Sequence, residues 1–310
     1  RPHIRIRSEA AKQQAMQASK LPQDKQRWEV RREQKRLARG ARSAMAGLDT
    51  APPPGATVGN YVGLVLLIEF PDVPATISQS DVDAYCNTAG YSGFGNNGSV
   101  NDYFQDVSGG RLSYTNVVTP YYTAMHNRDY YTDPAVTIGV RAKELIREAL
   151  DHLVATGFNF SSLSSDSDGY IYALNVFYAQ SRVNNWNEGL WPHSWGLGTP
   201  YLVAGGKRFH DYQITDMGNE LTLATFCHEN GHMICDFPDL YDYGDESRGA
   251  GRYCLMAGGG SNRKKPGHVG AYLKHAAGWT SRLTTTSDGA AASLTAGAND
   301  FFIHARSSTE

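Results

Sequence analysis

His228 and His232 stand four residues apart, and Glu229 follows the first of them, in the stretch 225–242, TFCHENGHMICDFPDLYD. On an α-helix that spacing sets both imidazoles on one face, one turn apart, where they can share a metal ion. Glu229 then sits beside the place a metal-bound water would take. Two imidazoles, a carboxylate and a divalent cation are the parts that hydrolysis by activated water requires. The cation lowers the pKa of its water, and the carboxylate takes the proton.

Zinc takes four ligands, and a catalytic site leaves one position open to water. Two histidines are therefore insufficient. Continuing the helix would carry Asp236 about 6 Å further along the axis from His232, beyond the metal. The chain must turn back, and Cys235-Asp-Phe-Pro238 supplies the turn: Asp tolerates left-handed backbone and Pro238 blocks further helix. Asp239 follows immediately and is the expected third ligand, with Asp236 and Asp242 as alternatives. Between Glu246 and Glu310 the chain has no Glu, which excludes a Glu ligand from a later helix. His268 and His275 stay open as further alternatives.

The elements that would position these groups can be read from pattern. Asp216 and Asn219 are capping candidates for a helix that continues through Leu221, Ala224 and Cys227. Tyr61 to Phe70, short, apolar and rich in branched residues, reads as a buried strand. Asn97 to Ser108 reads as a helix, Leu112 to Val118 as a strand, and Val136 to Leu153 as an amphipathic helix able to back a sheet. Tyr170 to Ala179 is another buried strand, Asp211 to Thr215 a short one, Trp186 to Trp195 an aromatic loop and Gly270 to Trp279 a final helix. The order indicates α/β or α+β, and the expectation is α+β, with a mixed twisted sheet, a backing helix and an active-site helix. Ser165-Asp-Ser-Asp-Gly169 reads first as a plain acidic turn. Calcium stays open there as a second cation, although no Glu completes an EF-hand loop.

At 310 residues, 41% hydrophobic and 11% aromatic, the chain can bury a substantial core. Its longest apolar run, Val62 to Phe70, is too short to span a bilayer. The net charge of −2 hides an asymmetry: residues 1–42 hold 13 Lys/Arg against four acids, and the remainder holds 16 against 27. A basic arm can bind nucleic acid, but ahead of an acidic body it can equally pack on its own domain. Four cysteines are too few for a disulfide framework, although Cys235 and Cys254, both flanking the site, are candidates for a bridge.

His228-Glu-Asn-Gly-His232 is the H-E-x-x-H motif of zinc peptidases. Together with PDLYD and LMAGGG it resembles the immune inhibitor A family of secreted bacterial metallopeptidases, and NDYFQDVSGG and WPHSW extend the likeness over roughly residues 60–305. The family usually has a glycine in the turn and one residue fewer before the Asp; here Cys235 replaces that glycine. The resemblance implies a metzincin-like endopeptidase with zinc on His228, His232 and Asp239, Glu229 as general base and Met256 as the methionine turn beneath the metal. Tyr253 and His193 are candidates for stabilising an oxyanion. It also implies a secreted protein acting on proteins or peptides, with its signal peptide outside this sequence; a monomer is expected, and the acidic body argues against a nucleic acid partner.

The organisation expected is a basic helical pro-segment and Pro-rich linker (1–57), a catalytic domain (58–284) and the start of a truncated β domain (285–310). No cysteine precedes Cys86, so latency by a cysteine switch is excluded within this chain, and Asp24 and Asp49 are candidates for an aspartate that fills the open metal position in a zymogen. Two rivals remain: a catalytically inactive zinc-binding adhesion module, and a nucleic-acid binder using residues 1–42.

Overall fold

The structure is a computed structural model that describes residues 30–33, 56–186, 188–242, 244, 246–285, 293–295 and 298–303. Its architecture is α+β around a five-stranded mixed sheet. The strands are β1 (Gly59–Glu69), β2 (Leu112–Thr123), β3 (Leu174–Tyr178), β4 (His193–Leu202) and β5 (Arg208–Asp216), in the order β2-β1-β3-β5-β4. β1 pairs in parallel with β2 and β3, and β3 with β5; β4 runs antiparallel to β5 at the edge.

Alternation along β1 sends its side chains to two separate cores. Leu64, Leu66 and Ile68 join one face, against the helix Val140–Ala155; Val65 and Leu67 join the other, which holds the remaining long helices. From residue 56 onward the α-helices are α1 (Gln79–Asn87), α2 (Val100–Ser108), α3 (the short Arg128–Tyr131), α4 (Val140–Ala155), α5 (Leu223–Cys235) and α6 (Ala271–Ala276) in chain order; α4 covers the first face, and α1, α2 and α5 the second.

Local chemistry sets the boundaries. α2 starts at Val100 and not at Asn97 because Ser99 caps it: Ser99 Oγ accepts from Asp102 N–H while the Asp102 carboxylate accepts from Ser99 N–H. α4 starts at Val140 because Gly139 is left-handed (φ 83°), and it buries Ala142, Leu145, Ile146, Ala149, Leu150 and Leu153. α5 begins at Leu223 after Thr222, so Asp216 and Asn219 are not its caps; Asp216 ends β5 and pairs with Arg182. The aromatic stretch 186–195 is not all loop, since β4 starts at His193.

Trp279 is fully buried and its indole N–H donates to the Thr57 carbonyl (2.7 Å), tying the segment after α6 to the one that leads into β1. Beyond it, β6 (Arg282–Thr285) and β7 (Asp300–Ile303) pair in parallel as a separate two-stranded sheet. The turn 165–169 closes on itself, with Asp166 Oδ1 accepting from the backbone of Asp168 and Tyr170. All four cysteines are buried free thiols, so Cys235 and Cys254 are not bridged. Among the described residues no helix is long and apolar enough to cross a membrane.

Candidate metal centre

α5 is buried along almost its whole length, from Leu223 to Cys235. A buried polar network fixes its rotation. Asn230 Oδ1 accepts from Tyr114 Oη (2.7 Å), whose oxygen accepts from Asn175 Nδ2 (2.8 Å), and Gln213 Nε2 reaches Asn175 Oδ1 (3.1 Å). Asn230 thus ties the helix to side chains from β2, β3 and β5. A buried network of this kind specifies one orientation where apolar packing would permit several.

The helix ends where Asp236 turns left-handed (φ 58°, ψ 30°), and its N–H and that of Phe237 close back on the carbonyls of Gly231 and His232. The reversal returns Asp239 to the histidines. His228 Nε2 and His232 Nε2 are 3.2 Å apart, and Asp239 Oδ1 is 3.2 Å from the first and 3.3 Å from the second. His228 Nδ1 donates to the Leu255 carbonyl (2.9 Å) and His232 Nδ1 to the Phe237 carbonyl (2.6 Å). A carbonyl can only accept, so each Nδ1 carries a proton and each ring turns its Nε2 to the shared point. Among the described residues these three are the one His/Cys/Asp/Glu group whose donor atoms converge in this way.

Burial disfavours a charge on His228, but Asp239, Glu229 and the Leu255 carbonyl outweigh it and push its pKa up to about 9. Burial likewise opposes charge on Asp239, yet the two imidazoles hold its carboxyl well below the usual carboxylate range. The three groups together form a cradle for positive charge.

The alternatives are placed elsewhere. Asp236 accepts from Arg31, Asp242 accepts from the backbone of Gly244 and Ser247, His268 meets Asp106 and Lys274, and His275 meets Thr280. Glu229 is buried at 8% exposure, and Ser194 Oγ lies 3.0 Å from its Oε2 and 2.7 Å from its carbonyl. His193, one residue earlier on β4, turns to the other face, where its two ring nitrogens meet the Trp191 carbonyl and Tyr212 Oη. Tyr253 stands 83% exposed, whereas Tyr241 has its ring centroid 6.0 Å from that of His228. Sequence reasoning passed over both Ser194 and Tyr241. Ser194 adjoins the histidine that it did select, and Tyr241 lies inside PDLYD, so the only available signal was adjacency. Asp24 and Asp49 lie outside the described residues.

Met256 is fully buried beneath the helix, and a Cβ on Gly231 would come within 2.7 Å of its sulfur. That contact fixes the sign of an expected result. In an ordinary helix interior Gly→Ala stabilises by about 1 kcal/mol, but Gly231→Ala overpacks a filled site and should destabilise by about 1–3 kcal/mol. Urea unfolding at constant m-value reads the difference, and a more stable variant would show that Met256 is not packed this closely.

No family model matches the chain. Over 227 residues it is 25% identical to the pre-pro-metalloprotease PrtV of Vibrio cholerae serotype O1, in strain M66-2 and in strain ATCC 39315 / El Tor Inaba N16961 alike. The similarity is to a metalloprotease. It covers 58% of this chain, and the chain spans about a quarter of the length of these curated relatives (25%).

Proposed function

We propose that the chain carries a zinc-dependent endopeptidase site, with His228, His232 and Asp239 as ligands and Glu229 as general base. The observation that carries this reading is the convergence of three donor atoms at 3.2, 3.2 and 3.3 Å from one another. Zinc at bond lengths of about 2.0 Å in a tetrahedral arrangement sets neighbouring donors about 3.3 Å apart. The donor set fits the ion in chemistry as well as in spacing, and both imidazoles are oriented by backbone carbonyls. The distant metalloprotease similarity supports the same class of chemistry.

Zinc, when bound, supplies an acidified water and a polarised scissile carbonyl. The rest falls to the chain. Glu229 takes the water proton and returns it to the leaving amine, with Ser194 holding its carboxylate in place. β4, at the edge of the sheet and carrying Ser194, offers its backbone to an extended peptide as an added strand. Met256 packs and does not ligate.

The finer reading extends to a metzincin-like fold, membership of the immune inhibitor A family, secretion, a zymogen arm over residues 1–57 and a catalytic unit over 58–284. Support for these comes from the HENGH, PDLYD and LMAGGG segments and from the sheet, backing helix and buried methionine around the site. The test is metal content together with casein cleavage, before and after limited proteolysis of the basic arm. One zinc per chain with cleavage supports the reading. Zinc without cleavage across a broad substrate panel would favour the adhesion module, and no zinc would end the proposal.

Proton release gives a second check. The folded pKa of His228, about 9, lies above its ordinary value of 6.5. Its pairing with Asp239 therefore stabilises the metal-free protein fully below about pH 6.5, and that contribution fades as pH rises through 9. At pH 7 the proton on His228 competes with the cation, so zinc uptake should release about one proton per ion. Calorimetry in two buffers of different ionisation enthalpy measures it, and an unchanged apparent enthalpy would count against the assignment.

A further inference from the structure

α5 ends with four carbonyls that have no partner within the helix, as any helix does. That of His232 is taken by the Asp236 N–H, and that of Ile234 by Thr57 Oγ1 (3.2 Å). That of Met233 is taken from 202 residues away in sequence: Arg31 Nη2 donates to it at 3.0 Å. The same guanidinium donates through Nε to Asp236 Oδ1 (2.9 Å) and through Nη1 to Asp211 Oδ2 (3.0 Å). Two of the three nitrogens are therefore spent on the end of the helix that carries both histidines, and the third ties that end to Asp211 of β5.

Both carboxylates are deeply buried, Asp211 and Asp236 each at 4% exposure. They lie beside a helix C-terminus, which itself carries a partial negative charge. Asp211 also meets His210 Nδ1 through its other oxygen (2.7 Å). Two buried anions at the negative end of a helix need a cation, and a planar fork matches two carboxylates and a carbonyl where an ammonium would not.

Asp236 is also the left-handed residue of the turn. The next residue supplies the carbonyl that orients His232, and Asp239 follows two positions later. We infer that Arg31 is a positioning residue for this turn: its guanidinium is docked at the end of α5, and that docking holds Phe237 and Asp239 in the arrangement in which the three donors converge. Arg31 hydrogen-bonds to none of those donor atoms. It braces the site instead of plugging it.

This rests on the metal reading above, and the experiment separates the two. Full-length wild type, Arg31→Ala and Arg31→Lys are titrated with zinc against a chelator, and the cobalt-substituted proteins are compared by visible absorption. Losing an outer support of a metal ligand costs roughly 10–100-fold in affinity, and that loss is expected for Arg31→Ala, with an altered cobalt spectrum. Guanidinium chloride at low millimolar concentration should restore much of the affinity and the wild-type spectrum, while sodium chloride at equal ionic strength should not. Arg31→Lys, which keeps the charge without the fork, should remain impaired and serves if the alanine variant does not fold. Wild-type zinc affinity and cobalt spectrum in either variant would overturn the inference while leaving the metal site standing. Absence of zinc from wild type would instead remove the metal site itself.

Discussion

Glu229→Gln should retain one zinc per chain and lose casein cleavage by a factor of about 10²–10⁴, the usual contribution of a positioned general base. The substitution keeps the size of the side chain and an oxygen able to accept from Ser194 Oγ, so the fold around it should not change. What it removes is the ability to accept a proton. Glu229 is not among the three residues whose donor atoms converge, which is why metal binding and turnover should separate. The separation matters because the rival module requires zinc but no base. If Glu229→Gln bound zinc and cleaved at the wild-type rate, another group would have to be the base. If it lost zinc, Glu229 would belong to the metal's coordination and the division of roles would be wrong.

Legibility in the sequence followed the range of the interaction. His228 and His232 are one helical turn apart, so their meeting was a local prediction, and the left-handed turn at Asp236 followed from Asp and Pro238 in the same few residues. The apolar run of β1 and the periodic face of α4 were readable because burial repeats along them. α1 was missed although Val82, Tyr85 and Cys86 form a buried face; nine residues offer too few turns for a period to stand out. Only the start of β4, His193 to Trp195, fell in the stretch read as loop; its remainder, where two glycines and a proline interrupt alternation, drew no assignment, and its register against β5 slips between Gly196 and Tyr201.

The supports of the site were the least visible part. Ser194 meets Glu229 across 35 residues and Arg31 meets Asp236 across 205, and no local pattern encodes such pairs. Asn230, Asn175 and Gln213 look like polar interruptions of core segments until the fold joins them through Tyr114. The residues proposed to do the chemistry are marked by their spacing, whereas those that hold them are marked by nothing shorter than the fold.

Asp239→Ala should weaken zinc binding more than any other single carboxylate substitution on the turn. Three aspartates compete for the third position in sequence, and the structure gives each a different occupation. Asp242 is half-buried and accepts from the backbone N–H groups of Gly244 and Ser247. Its replacement by alanine should leave zinc affinity within the error of measurement. Asp236 faces Arg31, so Asp236→Asn should act on zinc only through the turn, within the roughly 10–100-fold range of an outer support. Asp239 alone puts an oxygen 3.2–3.3 Å from both imidazole nitrogens. Its loss takes away a donor and the negative charge that favours a dication, and two histidines without a third protein ligand do not make the usual catalytic zinc site. Chelator competition on the three variants should rank Asp239→Ala as weakest, then Asp236→Asn, then Asp242→Ala. A reversed order, with Asp239→Ala still holding zinc tightly, would move the third ligand elsewhere and leave only the histidine pair of the site described above.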